Sequence, residues 1–143
     1  KPMEHKIKLS EAIKFHGHLG PYLVIGILAG EHAIKKLKAK KYFGMQVKVW
    51  GATKKPKSCL IDGLQLSTGA TYGKGNIEKF NARNIHIEII ENKKGRKISI
   101  DLTKDLLNSL EMVKTHKESE LLAKKIYKTK KISELFIESI ASI

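Results

Sequence analysis

Residues 85–102, with the sequence IHIEIIENKKGRKISIDL, decide the fold class of this chain. Isoleucines alternate with polar residues across 85–91, and a second alternation runs across 97–102. A period of two is typical of strands with one buried face, and residues 92–95 between the two runs predict a hairpin loop. Met45–Trp50 alternates in the same way and predicts a further strand.

Helical segments surround these strands. Pro21 predicts the start of a long helix to about Lys40, because proline is favoured at the first helical position. The first half of this helix is apolar nearly all round and should be buried. Residues 59 to about 67 predict a second helix. The order of elements predicts a single α+β domain over residues 1–143.

The C-terminal residues 103–143 are predicted to form a helical extension packed on this domain. Leucines and a valine recur at helical spacing after residue 104, and a second such pattern surrounds Leu121. Ser133 is a candidate cap for a last helix that carries Leu135, Phe136 and Ile140.

Composition narrows the function classes. The chain has 143 residues, one cysteine and a formal net charge of +14. A single cysteine cannot form an internal disulfide, which favours a reducing cytoplasm. The apolar stretch 19–33 is too short to span a membrane.

The charge suggests an anionic partner, but only Arg83 and Arg96 are arginines. Base recognition favours arginine, so we do not expect nucleic acid as the partner.

His16, His18 and Cys59 are the candidate metal ligands. Imidazole and thiolate are ligands that zinc prefers, and in an extended segment two side chains two positions apart face the same way. At the start of a helix, the thiol of Cys59 should be stabilised as thiolate. Asp62 is a candidate ligand, an orienting partner for a histidine, or a helix cap. Each pattern also has an ordinary structural explanation, and the other histidines are expected to be surface or paired core residues: His5, His32, His86 and His116.

The glycine-rich segment 69–76 suggests phosphate binding but does not match a P-loop. Its glycine spacing is one residue short, and Gly75 stands where serine or threonine would bind magnesium. An anion-binding nest of backbone N–H groups and a tight structural turn both remain open.

Two longer motifs resemble the FmdE family, the E-subunit family of formylmethanofuran dehydrogenase. The first is Phe15-His-Gly-His-Leu-Gly-Pro21 with Gly26 and Gly30, and the second runs from Cys59 to Asn76. The resemblance covers about residues 11–102 and includes the later Glu134-Leu-Phe136. It implies an α-β-α-β-β-β core with a mixed sheet, similar to one domain of glyceraldehyde-phosphate dehydrogenase, followed here by the C-terminal helices.

The resemblance also implies zinc or another divalent transition metal, with His16, His18 and Cys59 as its ligands. It implies further residues that line the site: Asp62, Gln65, Thr68, Thr71, Lys74 and Asn76. One departure stands out, because many members carry a cysteine where this chain has Gly20. The cysteine-rich zinc-ribbon extension of some members is not in this sequence.

Three functions follow from these observations. The first is a metal-binding accessory protein of the molybdenum or tungsten formylmethanofuran dehydrogenase in archaeal one-carbon metabolism and methanogenesis, with that enzyme's subunits as partners. The second is a free-standing metalloenzyme with an open His/His/Cys site, with Asp62 as a candidate base and Lys74 as a candidate charge clamp. Its catalytic residues are not established, and no sequence feature identifies a substrate. The third is a basic module that binds nucleic acid or protein. We also expect a homodimer formed through the apolar face of the long helix around Gly26 and Gly30.

Overall fold

The computed structural model describes residues 7–143. Within them lie five α-helices and five strands, with one 3₁₀ turn before the last strand. Their bounds are α1 Leu9–His16, α2 Pro21–Leu37, β1 Met45–Trp50, α3 Cys59–Thr68, β2 Ile77–Phe80, β3 His86–Glu91, β4 Arg96–Leu102, α4 Lys104–Glu111, α5 His116–Tyr127, the 3₁₀ turn Ile132–Glu134 and β5 Phe136–Ser142.

The five strands form one mixed sheet in the order β2-β1-β3-β4-β5. β1 and β2 run parallel, and the other neighbours are antiparallel. Val47 pairs with Ile77 on one side and with Ile89 on the other, which places apolar residues on the face that carries the helices. The predicted α+β class with a mixed sheet is therefore confirmed.

Helix α2 is the centre of the core. Leu23, Val24, Ile27 and Leu28 are fully buried, because α2 packs on α3, α5 and the sheet. The helix ends at Leu37, before the predicted Lys40, and the next residue takes a left-handed conformation. In the described residues 7–143, no helix combines the length and apolarity that a membrane crossing requires.

Glycines let α2 and α3 approach each other closely. A Cβ at Gly26 would overlap the carbonyl oxygen of Leu60, and a Cβ at Gly30 would overlap the hydroxyl of Ser67. Ser67 donates hydrogen bonds to the carbonyls of Gly26 (3.2 Å) and Gly63 (2.9 Å). The glycine face of α2 is thus covered by α3 of the same chain. It therefore does not supply the homodimer contact that we expected from the sequence.

The C-terminal residues correct one sequence prediction. The helices α4 and α5 form as expected, but the helix predicted from Ser133 is wrong: Phe136–Ser142 is a strand. It pairs antiparallel with β4, with Phe136 opposite Leu102 and Ile140 opposite Ile98. The residues after 135 complete the sheet, and the extension is not helical throughout.

Candidate functional site

His16 closes helix α1 and points towards α3. Gly17 follows in a left-handed conformation (φ 105°), and its N–H donates to the carbonyl of Ile13 at 2.7 Å. The segment is therefore a helix end and not the extended chain assumed from the sequence. Glycine suits this conformation because it lacks a Cβ. The turn still leaves the rings of His16 and His18 stacked, with centroids 4.9 Å apart.

Asp62 orients the imidazole of His16. Its Oδ2 lies 2.6 Å from His16 Nδ1, and the His16 side chain is only 11% exposed. A carboxylate accepting from Nδ1–H leaves the lone pair of the neutral ring on Nε2. That Nε2 is buried and has no hydrogen-bond partner among residues 7–143. A buried imidazole nitrogen without a partner, on a ring fixed by a carboxylate, is the arrangement of a metal-ligating histidine.

Further hydrogen bonds connect Asp62 to Gln65 and Tyr72. Gln65 Nε2 donates to Asp62 Oδ1 at 3.4 Å, and the backbone N–H of Tyr72 donates to Gln65 Oε1 at 3.1 Å. Helix geometry explains the first contact, because residues three apart share a face. Of the roles considered for Asp62, orienting a histidine is the one that the structure displays.

Cys59 is the first residue of α3 and is partly buried. Burial raises the pKa of its thiol, and the negative charge of Asp62 raises it further, against the opposing effects of Lys55 and a backbone hydrogen bond. The expectation that the helix N-terminus would favour the thiolate is therefore wrong. Desolvation and the nearby carboxylate outweigh the opposing effects of Lys55 and the backbone hydrogen bond.

His18 lies beside His16 and is exposed. Its ring stands between His16 and His116, with the His116 centroid 6.0 Å away. Partial burial lowers the pKa of His18, and electrostatic repulsion from His16 and His116 lowers it further. No sequence pattern indicated that His116 joins this row of rings. It does so because the start of α5 lies beside the segment that follows α1, a contact that no local pattern signals.

A cavity of about 570 Å³ opens beside His16 and Cys59. Asp62, Gln65 and Tyr72 also line it. Its other lining residues are Lys55, Ser58, Ile61, Ile77, Glu78 and Lys79. This volume falls within the range of small-molecule sites. His18 is not among the lining residues, so the three proposed ligands do not all face one cavity.

The remaining candidates of the second motif build the loop after α3. Thr68 is buried and donates to the carbonyl of Leu64 at 2.6 Å. Thr71 accepts from the backbone and side-chain nitrogens of Lys74, each at 3.2 Å. Asn76 Oδ1 accepts from the backbone of Thr71 at 3.0 Å. None of these four lines the cavity, and the glycine-rich segment is closed by its own hydrogen bonds.

Two further histidines form pairs away from the cavity. His32, buried on α2, lies 2.5 Å from Glu138 on β5. His86, on β3, contacts Asp101 at 2.8 Å and Glu88 at 3.2 Å. Burial alone would lower the pKa of His86, but the hydrogen bonds and charges of these two carboxylates outweigh it and raise the pKa. His5 lies outside the described residues.

His16, His18 and Cys59 meet the requirements of a metal site only in part. Within residues 7–143, no three His, Cys, Asp or Glu side chains are grouped as a metal cluster. The unpartnered His16 Nε2, the Cys59 thiol in the same cavity and the adjacent His18 ring are nevertheless the donor types that zinc takes. Binding through all three would require the His18 and Cys59 side chains to move towards His16.

Residues 15–142 match the FmdE family, described as "Molybdenum formylmethanofuran dehydrogenase operon". The structure is similar to the crystal structure of a tungsten formylmethanofuran dehydrogenase FmdE-like protein from Syntrophus aciditrophicus, with a TM-score of 0.65 and 18% identity. That similarity covers 100% of this chain and 77% of the other. No curated protein sequence is a significant match.

Proposed function

Because this chain belongs to the FmdE family, we propose that it is a metal-binding accessory protein of the molybdenum or tungsten formylmethanofuran dehydrogenase. Zinc is the metal we favour, and an archaeal cytoplasm engaged in one-carbon metabolism is the setting. The family description supports the link to the enzyme. The metal-binding part rests on one observation above all: His16 Nε2 is buried without a partner while Asp62 holds the opposite ring nitrogen.

Each ligand has a distinct place in this proposal. His16 is the anchor, since its ring is already fixed and its free nitrogen needs no further rotation to accept a cation. Cys59 and His18 supply the other two donors. Three protein ligands on zinc would leave one position open, in keeping with Gly20 at the position where relatives carry a cysteine. A bound zinc ion would supply Lewis acidity at the cavity wall.

Zinc analysis of protein purified without a nickel column tests the site. We expect about one equivalent per chain, lost in His16→Ala and in Cys59→Ala. Asp62→Asn should keep the fold and weaken zinc binding about 10- to 100-fold, the usual cost of losing a carboxylate that orients a ligand. His86→Gln serves as the matched control, since His86 also pairs with carboxylates but lies away from the cavity. Equal zinc content in all four variants would exclude this site.

Co-purification tests the partner. A tagged copy expressed in a host that contains the dehydrogenase should retain its subunits through a salt wash. The variant His16→Ala separates the two parts of the proposal, because loss of zinc without loss of the partner would assign the metal a role other than assembly. A chain that binds zinc but captures no part of the dehydrogenase would contradict the accessory role alone.

A free-standing metalloenzyme is the second candidate, favoured by the size of the cavity beside His16 and Cys59. Lys55 and Lys79 on its wall offer positive charge for an anionic substrate, and Ser58 offers a hydroxyl. Small-molecule ligands of the purified protein, found by thermal-shift screening with zinc present, would support this function. Stabilisation that persists in Lys55→Gln and Lys79→Gln would argue against binding in this cavity.

A homodimer remains part of the proposal, on a different surface from the glycine face. β5 is an edge strand, so one side of its backbone is open to pairing, and its apolar residues Ile137 (59% exposed) and Ile140 (46% exposed) are accessible. Sedimentation equilibrium at micromolar concentration should give twice the 16.1 kDa chain mass. Ile140→Lys should shift the protein to the monomer, and a wild-type monomer would rule the dimer out.

A further inference from the structure

Three loops meet at one end of the sheet: residues 38–44, 69–76 and 92–95. The first two lead into β1 and β2, and the third leaves β3. Together they contain no aspartate or glutamate. They contain six lysines: Lys38, Lys40, Lys41, Lys74, Lys93 and Lys94. We call this the loop surface.

Hydrogen bonds fix the three loops to one another. The backbone N–H of Tyr42 donates to the carbonyl of Thr68 at 2.9 Å, and Asn76 Nδ2 donates to the carbonyl of Tyr42 at 2.5 Å. The backbone N–H of Asn92 donates to the carbonyl of Gly44 at 3.1 Å. These bonds hold Tyr42 in a left-handed conformation (φ 75°), which is costly for a residue other than glycine. The surface is therefore presented in a fixed arrangement.

Exposed aromatic rings stand among the lysines. Tyr42, Phe43 and Tyr72 are 56%, 76% and 83% exposed. Lys74 Nζ lies 5.4 Å from the ring centre of Phe43, and Lys41 Nζ lies 5.5 Å from that of Tyr42. Fixed rings of this size are costly to leave in water unless a partner covers them.

The carboxylates that flank these loops do not neutralise their charge. Glu91, which precedes the third loop, is only 5% exposed, and its oxygens accept the backbone N–H groups of Lys93 (2.7 Å) and Lys94 (2.8 Å). Glu78, on β2, is exposed and lines the cavity that Tyr72 also lines, so it offsets at most one of the six lysine charges. The net charge of the loop surface is strongly positive.

We propose that the loop surface binds single-stranded nucleic acid. Lysines placed around exposed rings meet the two requirements of such binding: neutralisation of phosphates and stacking of unpaired bases. Tyr72 and Phe43 are the stacking residues, since Tyr42 is already packed against Gly69 and two lysine ammonium groups. The composition of the whole chain argued against this partner, but the folded chain collects six lysines and three rings that the sequence keeps apart.

The lack of arginine defines the kind of recognition. Lysine binds phosphate as a point charge and seldom reads base edges by paired hydrogen bonds. Binding should therefore tolerate many sequences, prefer single strands to duplexes and weaken with salt. The proposal goes beyond the proposed function and does not depend on the metal.

Fluorescence anisotropy with labelled 12-nucleotide oligo-dT and oligo-U, in EDTA, tests the proposal on the full chain. Phe43→Ala/Tyr72→Ala should raise Kd by about 30-fold or more, as expected for the loss of two stacking contacts. The control Phe15→Ala removes an exposed ring outside the loop surface (55% exposed) and should change little. Lys41→Gln/Lys74→Gln/Lys94→Gln should lower the slope of log K against log salt by about 2.

A charge-matched triple variant on other elements, Lys104→Gln/Lys117→Gln/Lys124→Gln, separates local from overall charge. Equal losses in both triple variants would overturn the proposal, because binding would then follow net charge alone. Equal affinity for a duplex of the same length would overturn the stacking role. Binding to phosphatidylserine vesicles through the same residues, without oligonucleotide binding, would identify the surface as a lipid-binding one and also overturn the proposal.

Discussion

Replacing Gly63 by alanine tests the contact that positions α3, and with it Cys59 and Asp62. A Cβ at Gly63 would overlap the carbonyl oxygen of Leu23 and lie 2.7 Å from the amide nitrogen of Ile27, whereas ordinary contacts span 3.4–4 Å. Both partners are backbone atoms of buried α2, so the helices must separate. Two clashes with backbone atoms place the cost at the upper end of the usual overpacking range, about 3 kcal/mol. Alanine regains roughly 1 kcal/mol in helix propensity.

We therefore expect Gly63→Ala to lower the free energy of unfolding by about 2 kcal/mol. Urea unfolding followed by far-UV circular dichroism measures this difference. Gly73→Ala is the matched control, since a Cβ there has no atom within 4 Å, and its effect should stay within about 0.5 kcal/mol. Equal stability of the two variants would refute the reasoning about close helix contact.

Two histidine pairs give further predictions. The pKa of His86 is raised above the ordinary 6.5, so its contribution to stability is fully present below pH 6.5 and is lost as pH rises through the folded-state pKa. Urea midpoints above pH 6.5 should fall more steeply in wild type than in His86→Gln, and parallel profiles would contradict this. His32→Ala removes the buried partner of Glu138 and should cost about 2 kcal/mol. Hydrogen exchange should show faster opening of β5 in this variant. Unchanged protection of the β5 amides would show that His32 does not stabilise β5.

The sequence predicted the elements whose burial alternates regularly. β1 and β3 each have one face on the helices and one open face, so their apolar residues recur at every second position. β5 does not follow this alternation. Its helix-facing position 138 is a glutamate, acceptable there because His32 pairs with it, and Ile137 on the opposite face is exposed. An edge strand with a paired charge on its helix-facing side and an exposed isoleucine on its open side lacks the alternation of apolar and polar residues that identifies a strand.

The sequence predicted which two motifs form the candidate site, but it did not predict how their side chains are arranged. The pairing of His16 with Asp62 joins positions 46 residues apart, and the sequence offered it as one of three possible roles. His116 joins the histidine row through the packing of α5, which depends on the whole core. Long-range placement of this kind follows from tertiary packing, and local patterns do not encode it.

Asp62 has two opposite effects on the proposed donors, and their balance governs when a metal can bind. By holding His16 Nδ1 it leaves the neutral ring with a free Nε2, which favours binding. Burial raises the pKa of the Cys59 thiol, and the charge of Asp62 raises it further, which keeps that donor protonated at neutral pH and opposes binding. A cation that recruits Cys59 must displace the thiol proton, so uptake should release a proton and tighten as pH rises. Binding that does not involve Cys59 would release no thiol proton.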